Sequence, residues 1–215
     1  MRDDPVASAY AQIRSHLLTR AGSALAKQDG AMTIVLTSRR RQEGVSTVCC
    51  ELAQSLQEEI RGEVLLVDSA SGTADLAQLV GAECRPVSPE LVAELATGAV
   101  LSTSLVNVGT VVPLPVLRIA SPATLEADLW PLVLGQLRRQ FAILLVDAGA
   151  LQSTIPHVWG RWATRTILVV DAARTSMPEL ERLRAEMTGF GIKLDAAILN
   201  KKAYHVPAAL YRRLL

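Results

Sequence analysis

Thr37-Ser38-Arg39-Arg40-Arg41-Gln42-Glu43-Gly44-Val45-Ser46-Thr47 is the stretch whose reading decides the fold. An apolar run over 32–37 leads into it, and a helical pattern over 46–59 leads out. Strand, loop and helix in that order make a phosphate cradle. The backbone N–H groups of a tight loop converge, and the following helix turns its positive end to the same point. Such a loop is usually spelled G-x-x-x-x-G-K-[ST]. Gly44 and Ser46-Thr47 fit, Arg39 stands at the first glycine, and Val45 stands at the lysine. The scaffold is kept and the phosphate-gripping charge is gone, which points to a binder or regulator rather than an ordinary ATPase.

Two further apolar runs end on carboxylates: Val64-Leu65-Leu66-Val67-Asp68, and Phe141-Ala142-Ile143-Leu144-Leu145-Val146-Asp147. Strands are also expected over 115–120, 166–171 and 194–199. Helices are expected over 5–27, 89–97, 125–140, 156–162, 177–190 and 207–214, with a loop over 69–74. Continuous apolar strands alternating with amphipathic helices predict an α/β fold, a mostly parallel sheet covered on both faces. Ligands on such sheets bind beyond the carboxyl ends of the strands, where the loop, Asp68 and Asp147 all fall. The 215 residues suit one domain, an N-terminal helix over 1–28 and a core over 29–215.

A net charge of +1, with no basic run beyond Arg39 to Arg41, argues against broad nucleic-acid binding. The three cysteines, Cys49, Cys50 and Cys84, read as reduced cytosolic thiols. Met1-Arg2-Asp3-Asp4-Pro5 lacks the apolar core of a signal peptide. The uncharged stretch over 99–117 is about long enough to span a bilayer. Its serines, threonines, Gly109, Pro113 and Pro115 make it strand and loop instead. His16, His157 and His205 lack metal-ligand spacing. Trp130, Trp159 and Trp162 are read as packing helices onto the sheet, with Trp159 and Trp162 open as a contact patch.

Three strand-end elements at this spacing resemble the MinD/ParA branch of P-loop ATPases, a three-layer P-loop NTPase-like fold. Within it the chain is most similar to the cytoplasmic domain of bacterial tyrosine autokinases, which act in capsule and exopolysaccharide export. Ala9-Tyr10-x-x-Ile13-Arg14 is similar to the family's E-A-Y-R-x-L-R ring-assembly helix. The run ending at Asp68 looks like its second-strand motif, which continues as D-A-D. Leu144-Leu145-Val146-Asp147 looks like its Walker B strand, and Ala197-Ile198-Leu199-Asn200 like G-V-V-L-N, whose Asn faces the adenine. The ending, Asn200-Lys201-Lys202 through Tyr211-Arg212-Arg213-Leu214, also looks like tails in this group. The departures weigh as much. Val45 replaces the lysine, Arg41-Gln42 the P-G, Asp68-Ser69-Ala70 the D-A-D, and Asp147-Ala148-Gly149-Ala150 the D-T-P-P. In the ring motif Ser8 replaces Glu and Ala11 the first Arg, and the tyrosine cluster is reduced to Tyr204 and Tyr211.

The resemblance implies a nucleotide site of Arg41, Gly44, Val45, Ser46, Thr47 and Asn200. Ser46 and Asp147 would hold Mg²⁺, and Asp68 would orient an attacking hydroxyl if the protein were active. Losing one electrostatic stabiliser costs about 10²–10³ in rate. The reading is therefore a catalytically degenerate protein that needs no cofactor, with weak ATP or ADP and Mg²⁺ binding as the residue of the ancestral site. Its expected partner is the cytoplasmic end of a membrane polysaccharide co-polymerase. The expected location is cytoplasmic, at the inner membrane through that partner, as monomer or dimer rather than ring. Two alternatives stay open: an active tyrosine autokinase or ATPase using Arg39 to Arg41 in place of the lysine, and a MinD/ParA-type positioning ATPase. Individual residues also have plainer readings. Asp68 and Asp147 could only cap loops, Ser46 and Thr47 could cap a helix, Asn200 could be a turn residue, and the arginines could be a solvated loop.

Overall fold

The computed structural model describes residues 5–25, 31–60, 62–69, 76, 79, 105–108, 112–118 and 130–201. The strands are β1 (Met32–Ser38), β2 (Val64–Asp68), β3 (Leu105–Val108), β4 (Val112–Arg118), β5 (Ile143–Ala150), β6 (Arg165–Asp171) and β7 (Ala196–Asn200). The helices are α1 (Pro5–Leu25), α2 (Val45–Gln57), α3 (Trp130–Gln140), α4 (Ile155–Gly160) and α5 (Met177–Gly189). The helices expected over 89–97 and 207–214, residues 70–74 of the expected loop, Cys84, Tyr204, His205 and Tyr211 lie outside the described residues.

The strands form one sheet in the order β3-β4-β2-β5-β1-β6-β7. Among the described strands only the edge pair β3–β4 is antiparallel, and the other pairings are parallel. The central strands β1 and β2 are buried along their whole length, as continuous apolar runs require when helices cover both faces. Alternation sorts their side chains into two layers. Ile34, Leu36, Leu66 and Leu145 face α2 and the Leu17 side of α1. Val35, Leu65, Leu144 and Val146 face α3 and α4, where the rings of Trp130 and Trp159 meet edge to face at 5.0 Å. A smaller cluster packs Leu183 and Met187 of α5 over Leu168 and Val170 of β6.

Four differences from the sequence reading have physical causes. β5 runs past Asp147 to Ala150, because Ser38 pairs with Ala150 across an irregularity in the β1–β5 register. Asp147 is thus inside a strand and not at its end. β4 begins at Val112, three residues before the expected start, and carries Pro113 and Pro115. Those prolines read as breakers, but a residue without an N–H is tolerated near a sheet edge, and β3 supplies that edge. Trp159 is fully buried, so it belongs to the core and not to a contact patch. Finally, Ser46 and Thr47 do not cap α2. Gly44 is the N-cap, in a left-handed conformation with φ 95°, and no side chain caps the helix.

α1 lies on α2, and Arg14 is the clamp. It donates to the carbonyl and the hydroxyl of Ser55, both at 3.0 Å, and pairs with Glu59 and, at 3.8 Å, with Glu58. On the other side Arg138 of α3 donates to Thr33 Oγ1 and, at 2.7 Å, to the Trp162 carbonyl, and burial lowers its pKa. Among the described residues no helix is long and apolar enough to cross a membrane.

Candidate functional site

Strand parity brings the polar residues together. Asp68 follows Leu66, Asp147 follows Leu145, Asp171 follows Val169, and Asn200 follows Ile198, each two residues on. Those four apolar residues all belong to the layer beneath α2, so the period of two turns the polar four to the same face. Asp68 and Asp147 are register partners on adjacent strands, as are Asp171 and Asn200. α2 enters this row at its N-terminus. Ser46 Oγ donates to Asp147 Oδ2 at 2.5 Å, and Asp147 Oδ1 accepts the N–H of Gly149 at 3.0 Å.

The loop before α2 is organised by its own groups. Glu43 is buried, and its Oε2 accepts the backbone N–H groups of Arg39 at 3.0 Å and Arg40 at 3.2 Å. Ser38 Oγ donates to the Arg40 carbonyl at 2.7 Å. Gln42 is left-handed with φ 65°, a conformation that disfavours a residue with a Cβ. Val45, in the lysine's place, is 7% exposed and joins the apolar cluster under α2. Arg41 and Thr47 are exposed. Arg39 and Arg40 both pair with Glu179 at the start of α5, Arg40 Nη2 at 3.0 Å.

The end of β7 closes the loop from the other side. Asn200 Nδ2 donates to the Glu43 carbonyl at 2.9 Å. Lys201, itself left-handed with φ 55°, donates to the Gln42 carbonyl and stands 3.8 Å from Asp171 Oδ2. Asn200 is therefore a partner of the loop backbone here, inside a strand and not in a turn.

The whole arrangement is similar to solved structures. The kinase domain of VpsO matches with a TM-score of 0.64 and 20% identity, over 92% of this chain and 95% of that one. The kinase domain of the Escherichia coli tyrosine kinase ETK matches with a TM-score of 0.64 and 16% identity, over 92% and 79%. MinD of Aquifex aeolicus, in its complex with MinC, matches with a TM-score of 0.61 and 20% identity, over 85% and 72%. The chain has the MinD-type P-loop NTPase fold. No protein-family model matches the sequence, and no curated protein matches it. At such identities the likeness is one of fold.

A P-loop fold implies Mg²⁺ and a nucleotide, and the residues fit them unevenly. The hydroxyl of Ser46 and the carboxylate of Asp147 stand together and suit a magnesium ion. An apolar Val45 supplies no charge for the terminal phosphates. When bound, the ion would neutralise phosphate charge. Around such an ion Gly44 would give the backbone turn, α2 would direct its positive end to the loop, and Asp147 would orient Ser46. Among the described residues no group of three or more His, Cys, Asp or Glu could hold a metal.

Sequence reasoning missed four residues gathered at this candidate site: Glu43, Asp171, Glu179 and Lys201. Two of them carried a local signal: Asp171 closes an apolar run as Asp68 and Asp147 do, and Glu179 completes the Ser176-Met177-Pro178-Glu179 spelling of a capping box, which the structure forms. The two described thiols, in contrast, are buried. Burial and then the charge of Asp147 push Cys49 well up, and the same two causes push Cys50 up to about 12. Alkylation at pH 8 followed by peptide mapping should leave Cys49 and Cys50 unlabelled in the native protein. A thiol whose folded pKa is raised binds its proton more tightly when folded. Its stabilising contribution is therefore complete below the unfolded value of about 8.5 and declines as pH rises from there toward 12.

Proposed function

We propose that this chain is a catalytically degenerate, tyrosine-autokinase-like domain of exopolysaccharide or capsule biosynthesis or export. It works by binding the cytoplasmic end of a membrane polysaccharide co-polymerase. The observation that carries the reading is Val45. At the one position where phosphoryl transfer needs a cation, the side chain is apolar and packed into the core beneath α2. Of the three arginines that could substitute, Arg39 and Arg40 are engaged with Glu179. Tyrosine kinase domains among the fold's similar structures support the family part of the proposal. Arg14, the last arginine of the ring motif, is held within the chain by Ser55, Glu58 and Glu59, which supports a monomer or dimer over a ring.

The Ser46–Asp147 contact supports the weak residual Mg-nucleotide site that this reading includes, and the alternative is an active kinase at the same site. One experiment separates the two. The protein is incubated with Mg-ATP and the cytoplasmic segments of a co-polymerase, then assayed for complex formation and for phosphotyrosine. A complex without phosphate on Tyr204 or Tyr211 is expected. Tyrosine phosphate that disappears in Asp68→Ala would establish an active kinase, and absence of a complex would remove the partner assignment.

A further inference from the structure

The loop that should receive an anion already engages two. Glu43 takes the backbone N–H groups of Arg39 and Arg40, and Glu179 takes their guanidiniums. Glu179 comes from a distant part of the chain, and its side chain is only 14% exposed. Its two oxygens have separate duties. Oε1 pairs with both arginines, while Oε2 lies 3.5 Å from the Ser176 N–H in the capping box of α5. The cap requires an acceptor, and glutamine serves in that position as well as glutamate. Only the arginine pair requires the charge. Carboxylate and phosphate are competing partners for a guanidinium, since both accept its N–H groups and both are anionic.

We propose that Glu179 is a built-in competitor: it occupies the Arg39–Arg40 cation pair, so that a phosphate-bearing ligand binds the loop only by displacing it. This rests on the reading that the loop over 38–47 keeps a phosphate cradle. It adds the means by which the loop's own cations are withheld. The ligand class is a multiply charged phosphate anion, either inorganic pyrophosphate or the diphosphate of a nucleotide.

Calorimetric titration with pyrophosphate and, separately, with Mg-ADP tests it. Three variants accompany the wild type: Glu179→Gln, Glu179→Gln with Arg39→Ala and Arg40→Ala, and the two alanines alone. Glu179→Gln should bind about tenfold tighter or better, by the usual strength of a charge-assisted pair. The triple variant should lose that gain, and the alanines alone should bind no more tightly than wild type. The thermal midpoint of Glu179→Gln should fall by no more than a few degrees, the cost of the lost pair, since the cap survives. Equal gains for both ligands place recognition in the phosphates, and a larger gain for Mg-ADP adds the base; both support competition. No gain in Glu179→Gln overturns the proposal, and so does a gain that persists without the arginines. Tyrosine phosphate in the kinase assay would remove the non-catalytic reading without touching this result.

Discussion

Trp159→Ala should lower the stability of the protein by about 3–5 kcal/mol, the range for emptying a large aromatic site in a core. Trp159 is fully buried on α4, a helix of six residues with little stability of its own. Its ring meets Trp130 of α3 at 5.0 Å, so one side chain joins two helices to the sheet. Its indole Nε1–H donates to Ser69 Oγ at 2.8 Å, and Ser69 N–H donates to the Asp147 carbonyl at 3.0 Å. Truncation therefore leaves a cavity and also releases the buried hydroxyl beside Asp68. For a chain of this length the thermal midpoint should fall by roughly ten degrees. Trp159→Phe keeps most of the ring and loses the N–H, and should cost about 1–3 kcal/mol. A loss below about 1 kcal/mol for alanine would mean that α4 is not anchored through this ring.

Gly44→Ala should cost about 2–3 kcal/mol, from left-handed strain plus one lost hydrogen bond. Gly44 has φ 95°, and an added Cβ would stand 2.2 Å from Asn200 Nδ2. The amide of Asn200 would have to leave the Glu43 carbonyl, so the loop would lose its tie to β7. Two controls locate the effect. Gly135→Ala, in α3 with open space around it, should stabilise by about 0.5–1 kcal/mol, as alanine does within a helix. In an Asn200→Ala background the cost of Gly44→Ala should shrink toward the strain alone, because residues in contact are not additive. Urea denaturation of the wild type and these four variants measures all of this. Full additivity of Gly44→Ala and Asn200→Ala would show that the two do not meet.

Much of the fold was legible because local signals agreed. The runs over 32–37 and 141–147 are apolar enough to be buried strands wherever they are placed, and β1 and β5 occupy them within a few residues. The pattern over 177–190 became α5, ending one residue earlier. β3 was not legible. Its four residues carry no period of their own, and it exists because β4 offers it an antiparallel edge. In the site, Asp68, Asp147, Ser46 and Gly44 could be named from the motif. The engagement of Arg39 and Arg40 could not, since their partner Glu179 lies 139 residues beyond Arg40.

The sequence alone determined the loop between β1 and α2, the absence of a lysine at Val45, and the carboxylates on two buried strands. Each is written in neighbouring residues, where backbone geometry and a period of two or 3.6 act directly. Only the tertiary structure decided what those residues touch. Setting β5 between β1 and β2 makes Asp68 and Asp147 register partners and puts Ser46 within hydrogen-bonding distance of Asp147. Placing β6 and β7 on the far side of β1 brings Asp171, Asn200 and Lys201 to the loop, and packing α5 over β6 lets Glu179 reach its arginines. Strand order and helix placement follow from how whole faces bury against one another. That is a property of the assembled chain, which no window of residues contains.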